Sequence, residues 1–424
     1  MPIMEYIVIN GQNRLQGNVS ISGAKNAAVA IIPATIVSGG VCVLDNVPCI
    51  EDVVNLTKAL ESLGVTCEFR DDNHTLVVDT TNLTSHVLSE ELAKSNRASY
   101  YFMGALLARF GKAEIPIPGG CDFGSRPMGY HFKGFESLGA TCNQEHGIVK
   151  LEAKNGLKGA NIYLDSPSVG ATINIMIAAV FAEGVTIIEN AAKEPHVVDT
   201  ANFLNKLGAR VNGAGTDIIR ITGGQKLSGS EYTIIPDQIE AGTYMIAAAI
   251  TDGDVTVENI IPKHMESLTS KLREIGVEIT EGLDSIRVQA SSPLKGCDIK
   301  TAAYPGFPTD LQPQMTTLLC TGTTGSMVTE NIFENRYRYV GELRRLGAAV
   351  KLSSRSLVIN GNDKLTGAKV EACDLRAGAA LVIAGLAAKG KTMISGVEHL
   401  DRGYENLEEK LCALGANIKR VREN

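Results

Sequence analysis

The chain has 424 residues, 44% of them hydrophobic, with a formal charge of -7 and no tryptophan. That length exceeds one typical core, so two domains are expected. Scattered Lys and Arg in an acidic chain argue against nucleic acid or an anionic membrane as a partner, without excluding a small anion held in a cationic pocket.

From the N-terminus onward one unit recurs. "ESLGVTCEF", "ESLGATCNQ", "NKLGARVNG", "REIGVEITE", "RRLGAAVKL" and "CALGANIKR" share a frame, with glycines at 64, 139, 208, 276, 347 and 415. The spacings are 75, 69, 68, 71 and 68 residues, the signature of six structural repeats. A second marker, Leu-x-Gly, places glycines at 17, 159, 229, 296 and 367, and "TNLTS" at 81–85 occupies the remaining slot.

Within a copy the pattern predicts strand, loop, apolar helix, glycine turn, strand, loop, amphipathic helix, Leu-Gly-Ala turn and closing strand. In the third copy these are "ANIYLD", "SPSVGATINIMIAAVFAEG", "VTIIEN", "AAKEPHVVDTANFLNKLGA" and "RVNGAG". The first helix is apolar nearly all round and should be buried; the second is apolar on one face. Three copies per domain is the natural division. Residues 1–20 carry a strand with no copy before it, and are expected to complete the sixth unit. The domains are therefore 1–20 plus 235–424, and 21–234.

Loops that lead from a strand into a helix present unpaired N–H groups and the positive end of the helix dipole, a ready anion site. On these loops stand Lys25, Arg97, Cys121, Arg126, Glu194, Asp310, Arg336, Asp374, Arg376 and Arg402. So many arginines suit anionic ligands, because a guanidinium fork matches phosphate or carboxylate; helix capping and ion pairing would account for part of the set. "GLAAKGKT" at 385–392 matches the phosphate-loop pattern, but a helix precedes it and a strand follows, the reverse of what that loop needs. His131 reads as a packing residue, while His399 flanks Asp401 and Arg402. Nine Cys form no CxxC and no His pair has zinc spacing, which suggests a reducing cytoplasm, no metal, and core positions for every thiol except Cys121.

Eight motifs together resemble the enolpyruvyl transferase family: "ISGAKNAA", "PGGCDFGSRP", "SVGAT", "IIENAAKEPHVVDTANFL", "FPTDLQPQ", "FENRY", "DLRAGAALV" and "DRGYENLEEKLCALGA". The likeness covers the whole chain and lies nearer the sugar-nucleotide branch than the shikimate-phosphate branch. It implies an α/β (α+β) fold of two similar domains, each three βαβαββ repeats around a pseudo-threefold axis, an inside-out α/β barrel with the active site in the cleft between domains. It also implies transfer of the enolpyruvyl group of phosphoenolpyruvate to the 3-hydroxyl of UDP-N-acetylglucosamine, by a cytoplasmic monomer that needs no cofactor.

By the same resemblance Lys25, Arg126, Arg376 and Arg402 receive phosphoenolpyruvate. Cys121 is the general acid, Asp310 orients or deprotonates the hydroxyl, and Asp374 assists proton transfer. Asn26, Arg97, Ser168, Val169, Gly170, Asp310 and Ile332 hold the sugar nucleotide, with Arg126, Pro127, Met128, Gly129 and Tyr130 at the uridine end. Glu194 and Arg336 support closure. Where the family shows an apolar, an acidic and a Leu or Gln residue, this chain has Met128, Gly129 and Tyr130, so an acidic contact is missing and Tyr130 can stack on the base. A sibling transferase with another acceptor, and a non-catalytic anion-binding repeat protein, are the alternatives.

Overall fold

The computed structural model describes residues 4–70, 74–95, 97–117, 128–362 and 364–423. They form two compact units: one takes the described part of residues 23–235, the other the described residues up to Ser22 and from Pro236 onward. Each unit has its own apolar core.

The third copy shows the common plan. A short strand, Asn161–Tyr163, leads into the buried helix Val169–Ala179, whose residues from Ala171 to Ala179 are all buried. The strand Val185–Glu189 then runs parallel to the first, Pro195–Lys206 forms the amphipathic helix, and the hairpin Arg210–Asn212 with Ile218–Thr222 completes the sheet. Among the described residues there are six such sheets, five of four strands and one of three. Their strands alternate buried and exposed, as in Cys42, Leu44, Ile188, Val255 and Val257, because each sheet covers the helices with one face and meets water with the other. The apolar helices lie inside. In the unit from Pro236 onward, Gln238–Ile250, Gln312–Thr321 and Leu375–Ala387 pack on one another.

Both glycine markers have a physical cause. The six turns, five Leu-Gly and one Ile-Gly, all place glycine in the left-handed region, with φ of +94°, +93°, +109°, +103°, +99° and +98°, where a Cβ would be strained. The Leu-x-Gly marker sits where the first strand of a repeat begins to pair with the second. A Cβ there would lie 2.3 Å from Val185 O at Gly159, 1.9 Å from Val41 O at Gly229 and 2.3 Å from Lys391 O at Gly367. The second copy carries Ser85 at this point, and its first strand shrinks to the single bridge Val87–Glu114, leaving a three-stranded sheet.

A third marker, unnoticed in the sequence, closes the far end of the same strand pair. Asn46, Asn190 and Asn259 have φ near +56°, +56° and +55°, and their side chains donate to Ile234 O, Leu164 O and Ile21 O at 2.7–2.8 Å. Asn331 does the same to Thr301 O at 3.0 Å.

In two repeats the first strand comes from a distant part of the chain. Gln16–Ser20 pairs in parallel with Asp254–Glu258, and Glu231–Thr233 pairs in parallel with Val41–Asp45. The N-terminal strand Met4–Asn10 lies between Lys391–Ser395 and Asn417–Glu423, inside the sixth sheet. Buried carboxylates fasten the residues next to the crossings. Glu240 accepts from Ser22 N–H at 2.8 Å and pairs with Lys410 at 2.6 Å. Asp199 accepts from the Tyr232 hydroxyl at 2.6 Å and Ile235 N–H at 3.4 Å.

Two sequence expectations change. "AKSNRAS" is not an open loop: Glu90–Ser95 is helical, with Glu90 and Glu91 in its first turn and a Glu90–Lys94 pair at 2.6 Å. Cys49 and Cys412 are exposed rather than core, Cys49 in the turn before the helix Glu51–Ser62 and Cys412 in the helix Leu407–Ala413. The phosphate-loop match is the end of Leu375–Ala387 followed by Lys391–Ser395, and Gly390 at φ +95° repeats the turn of Gly184 at +96°.

Gly229→Ala should cost about 3 kcal/mol or more in urea denaturation, because its Cβ would overlap backbone. Gly184→Ala, with nothing within 4 Å, should cost only the left-handed strain of about 1–2 kcal/mol. Equal costs would remove the close-approach explanation. A second expectation concerns Asp199, whose carboxyl burial pushes up from 3.8 to about 6. A group with a raised folded pKa contributes stability that is complete below its unfolded pKa and lost as pH rises through the folded one. The stability advantage of wild type over Asp199→Asn should therefore shrink between pH 4 and pH 6; a pH-independent difference in urea midpoints would contradict this.

Candidate functional site

The unit from Pro236 onward places a carboxylate between two buried guanidiniums. Asp310 lies in the single turn Thr309–Leu311 that opens the helix Gln312–Thr321. Its Oδ1 meets Arg336 Nη2 at 2.9 Å and its Oδ2 meets Arg376 Nη2 at 3.1 Å. The arginine side chains are only 1% and 4% exposed, whereas Asp310 is 26% exposed, so the carboxylate is the part that a ligand can reach. Burial works against the charge of Arg376, yet Asp310 and the Tyr404 hydroxyl hold it more firmly protonated than a free arginine. Arg336 also lies 5.7 Å from the centre of the Phe333 ring.

Asp374 caps the helix Leu375–Ala387. Its Oδ1 accepts from the backbone N–H groups of Arg376 and Ala377, both at 2.9 Å, and its Oδ2 lies 3.6 Å from Cys373 Sγ. One oxygen thus orients the helix that carries Arg376. Arg402 follows the short helix Glu398–Asp401 and is half-buried; His399 is in that helix.

Sequence reading overlooked Glu330, which is fully buried and organises this region. It accepts from the Thr301 hydroxyl at 2.8 Å, the Thr309 hydroxyl at 2.9 Å, Ile332 N–H at 2.8 Å and Phe333 N–H at 3.1 Å. These bonds fix the residue beside Asp310 and present the Ile332 side chain, 41% exposed, to solvent. The only sequence signal was an acidic residue closing an apolar strand, which elsewhere means an exposed strand end.

In the other unit, Lys25 begins the helix Lys25–Ala34 and its Nζ lies 2.9 Å from Asp52 Oδ2. Asp52 is 1% exposed and Lys25 14%, so an aspartate not foreseen in the sequence holds this lysine from beneath. Asn26 is half-buried beside it. Ser168 caps Val169–Ala179 by accepting from Ala171 N–H at 3.4 Å, so Ser168, Val169 and Gly170 form the N-terminal turn of a regular helix. At Gly170 a Cβ would come within 3.1–3.2 Å of the Tyr100 and His131 rings. His131 is a core residue: it is buried, bonded to Asn174 at 3.2 Å and edge-on to Tyr100.

Glu194 is the N-cap position of Pro195–Lys206. Met128 precedes the helix Gly129–Ser137, and Tyr130 packs partly against the core, while nothing stands within 4 Å of a Cβ at Gly129. Cys121, Arg126 and Pro127 lie outside the described residues, and Arg97 is described only as backbone in the turn Arg97–Tyr100. Among the described residues no group of three or more His, Cys, Asp or Glu could hold a metal ion, and no helix is long and apolar enough to cross a membrane.

Two units of three βαβαββ repeats, with cations and carboxylates at helix starts, define the enolpyruvyl transferase class. The family model for EPSP synthase (3-phosphoshikimate 1-carboxyvinyltransferase) matches residues 9–411, and the chain belongs to that family. It is 55% identical to UDP-N-acetylglucosamine 1-carboxyvinyltransferase 3 of Caldanaerobacter subterraneus, over 99% of this chain and 100% of that protein. It is 54% identical to UDP-N-acetylglucosamine 1-carboxyvinyltransferase 2 of Clostridium acetobutylicum, over 98% and 99%. The crystal structure of the enolpyruvyl transferase NikO from Streptomyces tendae superimposes with a TM-score of 0.90 at 26% identity, covering all of both chains.

Asp310→Ala would leave the buried Arg336 and Arg376 facing each other without their shared counter-ion. The expected loss is about 3 kcal/mol in chemical denaturation, with Asp310→Asn losing less because an amide oxygen still accepts. An alanine variant as stable as wild type would show that the pair of arginines does not depend on this carboxylate.

Proposed function

We propose that the protein transfers the enolpyruvyl group of phosphoenolpyruvate to the 3-hydroxyl of UDP-N-acetylglucosamine with release of phosphate, the first committed step of peptidoglycan synthesis. The observation that carries this reading is 55% identity across 99% of the chain to a relative named for that transfer. Identity of that extent leaves little room for a non-catalytic repeat protein.

The chemistry proceeds by addition and then elimination. The sugar hydroxyl oxygen bonds to the central carbon of phosphoenolpyruvate while a proton reaches the methylene carbon, which becomes a methyl group. The tetrahedral intermediate then loses a methyl proton and expels phosphate, restoring the double bond on the sugar. Asp310, itself oriented by two guanidiniums, orients or deprotonates the hydroxyl. Cys121 supplies the proton to the methylene carbon, and Asp374 uses its oxygen away from the helix cap in the transfer.

Lys25, Arg126, Arg376 and Arg402 balance the phosphate and carboxylate, charges that cations already held by Asp52 and Asp310 meet with little reorganisation. Asn26, Arg97 and the helix start at Ser168, Val169 and Gly170 take the sugar nucleotide, with Ile332 against it. Arg126, Pro127, Met128, Gly129 and Tyr130 form the uridine end, and Glu194 and Arg336 support the closed state.

Phosphate release should require both phosphoenolpyruvate and UDP-N-acetylglucosamine. Release only with a different acceptor would favour a sibling transferase, and none with any acceptor would sink the enzymatic reading. Cys121→Ala should abolish turnover yet retain sugar-nucleotide binding. An epoxide such as fosfomycin should label Cys121 while sparing Cys67, Cys142 and Cys373, whose thiols burial pushes up to about 12. Mass spectrometry of the adduct, with exposed Cys49 and Cys412 as internal controls, decides this.

A further inference from the structure

Beneath the Arg376–Asp310 pair lies a neutral polar cluster that the proposed chemistry does not use. Tyr404 is 4% exposed, and its ring centre lies 5.5 Å from the Arg376 guanidinium. Its hydroxyl is 2.9 Å from Thr243 Oγ1 and 3.3 Å from Gln314 Nε2. Gln314 Nε2 also reaches Thr243 Oγ1 at 3.3 Å and the backbone oxygen of Asp310 itself at 3.0 Å. Thr243, Gln314 and Arg376 lie in the N-terminal halves of the three buried helices of this unit, so the hydroxyl and ring of Tyr404 together join all three.

Counting protons fixes the direction of these bonds. Thr243 has one hydroxyl proton and gives it to Ile239 O at 2.8 Å. Its oxygen must therefore accept from Tyr404, whose only proton is then spent. The phenolic oxygen is left as an acceptor toward Gln314, whose amide nitrogen can only donate. Burial pushes the Tyr404 hydroxyl pKa up, so that proton stays in place.

We propose that Tyr404 is a positioning residue: its ring, anchored through the hydroxyl by Thr243 and Gln314, packs on the Arg376 guanidinium and aims it at Asp310 and at the anionic substrate, while Gln314 ties the backbone of Asp310 to the same point. The inference rests on the enolpyruvyl-transfer reading for its kinetic consequence, but not for its geometric one. Tyr404→Phe keeps the ring and removes only the hydroxyl that anchors it to Thr243 and Gln314. A displacement of the guanidinium by about 1 Å is enough to cost on the order of tenfold to a hundredfold in rate.

The test combines kinetics with crystallography of the intact protein. Tyr404→Phe should lower kcat/KM for phosphoenolpyruvate about tenfold or more. Thr243→Val should do likewise, because the tyrosine proton loses its acceptor, and Thr243→Ser should restore the activity. In an Arg376→Lys background the Tyr404→Phe change should cost less than about twofold, since the two act as one unit; equal costs in both backgrounds would mean that Tyr404 does not work through Arg376. The crystal structure of Tyr404→Phe should show the Arg376 guanidinium moved off Asp310. A guanidinium in its original place would overturn the proposal even if the wild-type protein proved to catalyse some other reaction, and the wild-type phosphate assay reports separately on that.

Discussion

Everything in this molecule hangs on one parallel strand pair, made once per repeat. At its start the two backbones come so close that a Cβ would overlap a carbonyl oxygen, as at Gly159, Gly229 and Gly367. At its end an asparagine side chain in the neighbouring turn bonds the outgoing carbonyl, as at Asn46, Asn190 and Asn259. The first strand is therefore held at both ends and delivers the chain to a helix start in a set position. The candidate site depends on that delivery, because the loop between strand and buried helix is where Lys25, Ser168, Asp310 and Asp374 stand.

The same pair makes the topology possible. Where Gln16–Ser20 joins Asp254–Glu258, and Glu231–Thr233 joins Val41–Asp45, the partners are more than 180 residues apart in the chain, yet both pairs keep the asparagine clamp of the local repeats, and the second keeps the glycine one as well. A closed set of three repeats needs its first strand from somewhere. Each unit obtains it from the segment that enters or leaves the other, anchored by Glu240 at Ser22 and by Asp199 at Ile235.

The site applies a different rule. Burying a charge is costly unless a partner and hydrogen bonds compensate it, and each cation seated deeply here has one: Arg336 and Arg376 share Asp310, and Lys25 has Asp52. In every case the carboxylate or the cation keeps an edge toward solvent. Charge held in this way suits an anionic ligand and spares much of the ordering that flexible surface residues would need. Glu330 and Tyr404 lie one layer deeper and bond residues that neighbour or hold Asp310.

The repeat period, the apolar and amphipathic helices, the positive-φ glycines and the list of ionisable loop residues were legible in the sequence, because each follows from local chemistry repeated about every 70 residues. The asparagine marker was legible too, as Asp-Asn or Glu-Asn after a strand in "LDNV", "IENA", "VENI" and "TENI", but its meaning needs the neighbouring carbonyl to be seen. Asp52, Glu330 and Tyr404 could not be singled out: an acidic residue in a first helical turn, one at a strand end and a tyrosine after an arginine are ordinary features. What the sequence alone determined is the set of periodic elements and the residue types at their ends, since backbone conformation and amphipathicity act within a few residues. Which carboxylate meets which cation, and which ring packs on which guanidinium, only the tertiary structure decided, because those contacts join residues 26 to 161 positions apart, as Asp310 with Arg336 and Thr243 with Tyr404, and no local rule reaches that far.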